Sequence, residues 1–181
     1  MKFKETPLKG SFVIEIEPRG DERGFFARAF CKRELAEAGL NPEIVQINNS
    51  LSRHRGTLRG IHYQLAPKAE AKIVRCIRGA LYDAIVDMRP DSPTFLQHYG
   101  VELTSENRQA LYVPKGFGHA FLALEDDTET LYLVTEYYAP ERERGLRFND
   151  PRLAIPWPIP PTIVSDKDRA WPDFSPDYHL A

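Results

Sequence analysis

Short extended stretches recur along this chain at close spacing, and that recurrence limits its fold more than any other feature. Phe12 to Glu17 alternates apolar and acidic residues, the period-two pattern of a half-buried strand. Further extended segments are expected at Gly24 to Phe30, Ile44 to Leu51, Gly56 to Gln64, Lys72 to Arg78 and Ala80 to Arg89. Phe95 to Leu103, Ala110 to Val113, Phe117 to Leu124 and Glu129 to Tyr138 complete the series. Turn chemistry punctuates them, as in Pro18-Arg19-Gly20-Asp21, Gly79 and Pro90-Asp91-Ser92-Pro93. Helix is expected only over Lys32 to Ala38, stopped by Gly39, and as one turn over Ser165 to Ala170. Strands at this spacing, with no alternating amphipathic helices, argue against a Rossmann-type sheet. They predict an all-β antiparallel sandwich or barrel, and specifically a jelly roll.

The 181 residues fit one domain, 1–181, with enough chain to bury a core. A net charge of -2, with both signs scattered, argues against a nucleic-acid binder. No apolar run is long enough to span a bilayer, and no membrane partner is expected. The N-terminus lacks the apolar stretch of a secretory signal. Cys31 and Cys76 have neither metal-type nor redox-type spacing, which suits a reduced cytoplasm.

Chemistry points first to Gly56-Thr-Leu-Arg-Gly-Ile-His-Tyr-Gln64. His62 can exchange a proton near neutral pH, and Arg59 and Lys72 bracket it in sequence, as a site for an anionic substrate would require. Alternation puts His119 on a face with Phe117 and Phe121, and Lys72 on one with Val74 and Cys76. It puts Tyr132 with Val134, Glu136 and Tyr138. Each polar group on an apolar face needs a partner or a wet cavity, and together they describe a lined pocket. Arg59 and His62, three residues apart, fall on opposite faces of a regular strand. A bulge at Gly60 is therefore predicted, because only then can both line the cavity. Ser165-Asp-Lys-Asp168 reads as a capping box, with Ser165 as N-cap. Arg23 reads equally as a surface partner of Asp21 or Glu22. A metal-dependent reading would want several imidazoles and a carboxylate on one ion, whereas His54, His98 and His119 are scattered, so no metal is expected.

The Gly56–Gln64 stretch, Lys72-Ile-Val-Arg-Cys76, Pro114-Lys-Gly-Phe-Gly-His119 and Tyr132-Leu-Val-Thr135 resemble the dTDP-4-dehydrorhamnose 3,5-epimerase family. So do Asp21-Glu-Arg-Gly-Phe-Phe26, Gln46-Ile-Asn-Asn-Ser50 and Ser165–Asp168, in order from about residue 10 to residue 175. The resemblance implies a cupin-type double-stranded β-helix (jelly roll) with a few short helices. It implies a homodimer that needs no metal or redox cofactor. The implied substrate is a dTDP-linked 4-keto-6-deoxyglucose, inverted at C3 and C5 on the way to dTDP-L-rhamnose. By motif, His62 is then the general base, Asp168 its orienting carboxylate, Tyr132 the acid across the sugar, and Lys72 the group at the enolate oxygen. Arg59 and Arg23 match diphosphate contacts and His119 a sugar contact. Gln46, Asn48, Phe26, Tyr138 and Glu143 match nucleotide contacts. The chain departs from the pattern at Phe148, where tryptophan is common, and at Gly118-His119-Ala120, which replaces Ala-His-Gly. The alternatives are an epimerase of C3 or C5 only on a related nucleotide 4-keto-6-deoxysugar, and a non-catalytic nucleotide-sugar-binding cupin.

Overall fold

A computed structural model describes residues 1–181 and arranges the longer strands in two sheets. In chain order they begin with β1 (Lys2–Glu5), β2 (Phe12–Glu15), β3 (Arg19–Asp21), β4 (Gly24–Phe26) and β5 (Gln46–Ser52). There follow β6 (Thr57–Gln64), β7 (Lys72–Arg78), β8 (Ala80–Asp87), β9 (His98–Thr104) and β10 (Ala110–Val113). The last are β11 (Phe117–Ala123), β12 (Thr128–Val134), β13 (Glu143–Gly145) and β14 (Ile163–Val164). The helices are short: α1 (Lys32–Glu37), α2 (Asp166–Arg169) and α3 (Pro176–His179), with a 3-10 turn at Pro140–Arg142.

The first sheet runs β1-β2-β10-β7-β12-β5 and the second β13-β6-β11-β8-β9, with β14 added parallel along β6. Strands distant in sequence lie side by side, as in β2 beside β10 and β7 beside β12, which is the jelly-roll arrangement. Inward-facing residues of both sheets form one core. Val74, Cys76, Leu111 and Val113 from the first pack against Leu81, Ile85, Leu103, Phe117 and Phe121 from the second. Each such side chain, fully buried, contributes about 1.5–3 kcal/mol. The outer faces are covered too. Leu35 of α1 and Leu40 pack on Ile14, Ile73 and Tyr112. The irregular C-terminal stretch lays Leu146, Leu153, Ile155 and Phe174 over Ile61, Val86 and Ala120.

The expected jelly roll is the fold, with strand ends corrected. The segment expected over Gly24 to Phe30 stops at Phe26, because its hairpin partner β3 offers only Arg19–Asp21. Pro18–Asp21, read as a turn, is mostly that partner strand. The stretch begun at Phe95 becomes strand only at His98, since Leu96 takes a positive φ of 61° and bonds back to Asp87. The stretch ending at Tyr138 stops at Val134, so Glu136 and Tyr138 do not continue the Tyr132 face as strand residues. There the Gln64 side chain takes over, donating to the Tyr137 carbonyl and accepting the Ala139 N–H. Phe12 to Glu17 and Ala80 to Arg89 likewise end early, at Glu15 and Asp87.

The bulge at Gly60 is present. His119 pairs with His62 and Phe121 with Arg59, so three residues of β6 span two of β11. Gly60 has φ +112°, and a Cβ there would lie 2.5 Å from the His119 carbonyl oxygen and 2.7 Å from the Ala120 Cβ. Only glycine fits both the dihedral and the space.

Candidate active site

The bulge turns His62 into the space between the sheets, where its Nε2 lies 2.5 Å from Asp168 Oδ1. Asp168 belongs to α2, and its placement combines both readings of Ser165–Asp168. The Ser165 hydroxyl accepts the Asp168 N–H at 3.1 Å, capping the helix, while the Asp168 carboxylate serves His62 and accepts the Gly60 N–H at 3.2 Å. Burial pushes the Asp168 carboxyl up, but the His62 hydrogen bond and charge, the Gly60 amide and the Ser165 hydroxyl outweigh it. The net effect holds it below the usual range. A carboxylate only accepts, so Nε2 carries hydrogen, and in the neutral ring the lone pair is then on Nδ1. Trp171 sets its ring edge-on to His62, with centroids 6.3 Å apart. It has room because Gly145, paired with His62 across β13 and β6, has no side chain; a Cβ there would come within 2.2 Å of the indole.

Two adjoining cavities open beside this dyad. The outer, of about 290 Å³, is lined by Gln46 and Asn48 of β5 and by Tyr138 and Glu143. The inner, of about 210 Å³, is lined by Arg59, Ser50, His119 and Phe121. His62, Lys72 and Tyr132 line both. Lys72 and Tyr132 stand on neighbouring strands of the first sheet and His62 on the second, so the imidazole and the phenol occupy opposite walls.

Carboxylates hold most of the polar groups. His119 Nε2 lies 2.5 Å from the fully buried Asp83. Lys72 Nζ is 3.0 Å from Glu70 Oε1. Glu143 accepts from Lys167 at 2.6 Å and from the Tyr138 hydroxyl at 2.8 Å. Burial raises the Glu143 carboxyl, yet those bonds hold it below its ordinary value. The Tyr132 phenol is pushed up by burial and then by the Glu70 charge, against a smaller opposing effect of Arg59. It is a protonated donor at neutral pH.

Arg23 and Phe26, expected among the contacts, do not reach these two cavities. They ride on the β3–β4 hairpin, which pairs with neither large sheet. Arg23, with its side chain 84% exposed, pairs with Asp21 at 2.5 Å, the plain surface pairing. Phe26 is 74% exposed and lines a separate surface hollow with Met1, Arg19 and Arg28. Sequence reading passed over Asp83, Glu70, Lys167 and Trp171. Only Glu70 left a signal, standing two residues before Lys72 and so on its face. No group of three His, Cys, Asp or Glu side chains converges as a metal site would need.

Comparison with known proteins identifies the family of this chain and matches its fold. A family model described as dTDP-4-dehydrorhamnose 3,5-epimerase matches residues 5–176. A curated protein of that name from Shigella flexneri is 41% identical over 169 residues, 93% of each chain. The crystal structure of such an epimerase from Elizabethkingia anophelis superposes with a TM-score of 0.95 at 40% identity, covering 98% of each chain. One from Bacillus anthracis, with TDP and PPi bound, superposes with a TM-score of 0.92 at 44% identity, covering 96% of this chain and 99% of that one.

Proposed function

The chain belongs to the dTDP-4-dehydrorhamnose 3,5-epimerase family, and we propose that it inverts C3 and C5 of dTDP-4-dehydro-6-deoxy-D-glucose through enolates. The product is dTDP-4-dehydro-L-rhamnose, on the route to dTDP-L-rhamnose. The observation that carries this reading is a carboxylate-oriented imidazole facing a protonated phenol across a cavity that also holds an ammonium.

The proposed reaction moves protons and no electrons. C3 and C5 both flank the C4 ketone, so loss of either proton gives an enolate. Neutral His62 takes the proton on Nδ1, and Asp168 stabilises the imidazolium that forms. Negative charge gathers on the C4 oxygen, where the Lys72 ammonium meets it; one such donor is worth about 3–4 kcal/mol. Tyr132 returns a proton to the opposite face, which inverts the carbon. The phenoxide then regains a proton from solvent and the imidazolium loses one, restoring both groups. Arg59 holds the diphosphate, so that binding remote from the reaction positions the ring. His119 holds the sugar, and Gln46, Asn48, Tyr138 and Glu143 hold the nucleotide.

We place the enzyme in the cytoplasm, in keeping with its free Cys31 and Cys76, and no helix is long and apolar enough to cross a membrane. We also propose a homodimer. The β5 end of the first sheet exposes Ile47 and Leu51, and the hairpin exposes Phe25 and Phe26. A second copy would cover this apolar surface and give Arg23 and Phe26 a site to serve, in the partner. Proton NMR of the product tests the function. Inversion at both carbons is expected; inversion at one alone, or an unchanged sugar, would overturn it.

A further inference from the structure

The roles above leave one charged group in the cavity unused. Glu70 stands just before β7, with Oε1 3.0 Å from Lys72 Nζ, and the two side chains are only 13% and 11% exposed. The carboxylates nearby have partners of their own: Glu143, also in the cavity wall, has Lys167, while Asp168 and Asp83, behind it, have His62 and His119. A lysine head is a compact charge on a flexible stem, so its direction is set by what it pairs with. Lys72 and Tyr132 project from adjacent strands, Lys72 opposite Val134 and Tyr132 opposite Val74, which makes them diagonal neighbours on one wall.

We propose that Glu70 is a positioning residue, anchoring the Lys72 ammonium beside Tyr132 where the enolate oxygen forms. This rests on the epimerase reading and extends it. Glu70 also partly cancels the Lys72 charge, so its value lies in direction rather than field: a mobile ammonium loses more through misplacement than it gains in charge. Misplacement by about 1 Å can cost about a hundredfold in rate. Glu70 has a second effect on the same wall. Around Tyr132 stand Glu70 and Lys72 from the β7 side, Arg59 and His62 from β6, and His119 from β11. After burial, the Glu70 charge is what most raises the phenol, and Arg59 opposes it.

The test compares Glu70→Gln and Glu70→Asp with the parent in steady-state kinetics. It adds an NMR titration of protein labelled at tyrosine Cζ, with Tyr132→Phe to assign the signal. For Glu70→Gln, kcat is expected to fall about tenfold to a hundredfold while KM stays within about threefold. The Tyr132 midpoint should move down, and Glu70→Asp should recover part of both changes. Unchanged kcat and midpoint in Glu70→Gln would overturn the proposal, and so would a rise in KM alone. If Glu70→Gln fails to fold, Glu70→Asp carries the test: its shorter reach must lower kcat while largely keeping the midpoint, and parental kcat would overturn the proposal. The titration needs no substrate, and failure of the epimerase reading would show as an inactive parent.

Discussion

In the proposed reaction His62 can accept a proton only while its Nε2 carries hydrogen, and the Asp168 carboxylate 2.5 Å away is what favours that tautomer. Asp168→Asn replaces an acceptor with a group that can also donate. The expected result is a fall in kcat on the order of 10² to 10⁴ with KM little changed, read from steady-state kinetics. The same substitution has a stability signature. The folded-state pKa of Asp168 is depressed, so its contribution is present above the unfolded value of roughly 3.9 and is lost as pH falls through the lower folded value. Urea melts from pH 7 down to pH 3 should therefore show a shallower acid decline for Asp168→Asn than for the parent. Equal declines would contradict the assignment. At this scale the sequence was only partly legible. Spacing alone presented Ser165–Asp168 as a cap, and the cap is there. The carboxylate's second allegiance joins residues 106 apart in the chain, beyond the reach of any local pattern. Asp83 was hidden in the same way, inside an ordinary strand and 36 residues from His119.

The element that aims the site is β6. Arg59 and His62 share the inner cavity only because Gly60 inserts one extra residue against β11. Gly60→Ala would force a side chain into a positive-φ position and against the His119 carbonyl. The strain alone costs about 1–2 kcal/mol, and the clash adds to it. Calorimetry should show a fall in Tm of at least about 4 °C, with His62 misdirected and activity lost more steeply than stability. A variant with the parent's Tm and rate would contradict the bulge's role. This bulge was readable because two side chains three apart could not otherwise share a face. β1, β13 and β14 were not readable, since strands of two to four residues hold too little alternation to register. Two of the overlong expectations share a cause: a strand-like pattern can continue in the sequence after its partner strand ends, as at Phe26 and Val134.

For the whole molecule, strand spacing and turn residues were enough to indicate the jelly roll, because the inward faces of both sheets make one core. What a single chain's pattern could not convey is where the β3–β4 hairpin goes, since Arg23 and Phe26 carry site-like motifs yet stand outside the two site cavities. The proposed homodimer makes a definite claim about them. Arg23→Ala and His62→Ala should each be inactive alone. Mixed and reassembled in equal amounts, they should regain about a quarter of parental activity, because half the dimers pair them and each such dimer has one intact site. No recovery, in a mixture shown by sedimentation to exchange subunits, would return Arg23 to its surface pairing with Asp21.

In the proposed reaction one imidazole removes the proton at both carbons flanking the ketone, and proton NMR in deuterated water with dTDP-4-dehydro-6-deoxy-D-glucose follows both exchanges at once. The parent should incorporate deuterium at C3 and C5, and folded His62→Ala at neither. Exchange persisting at either carbon in His62→Ala, or none in the parent, would remove His62 from the role of shared base.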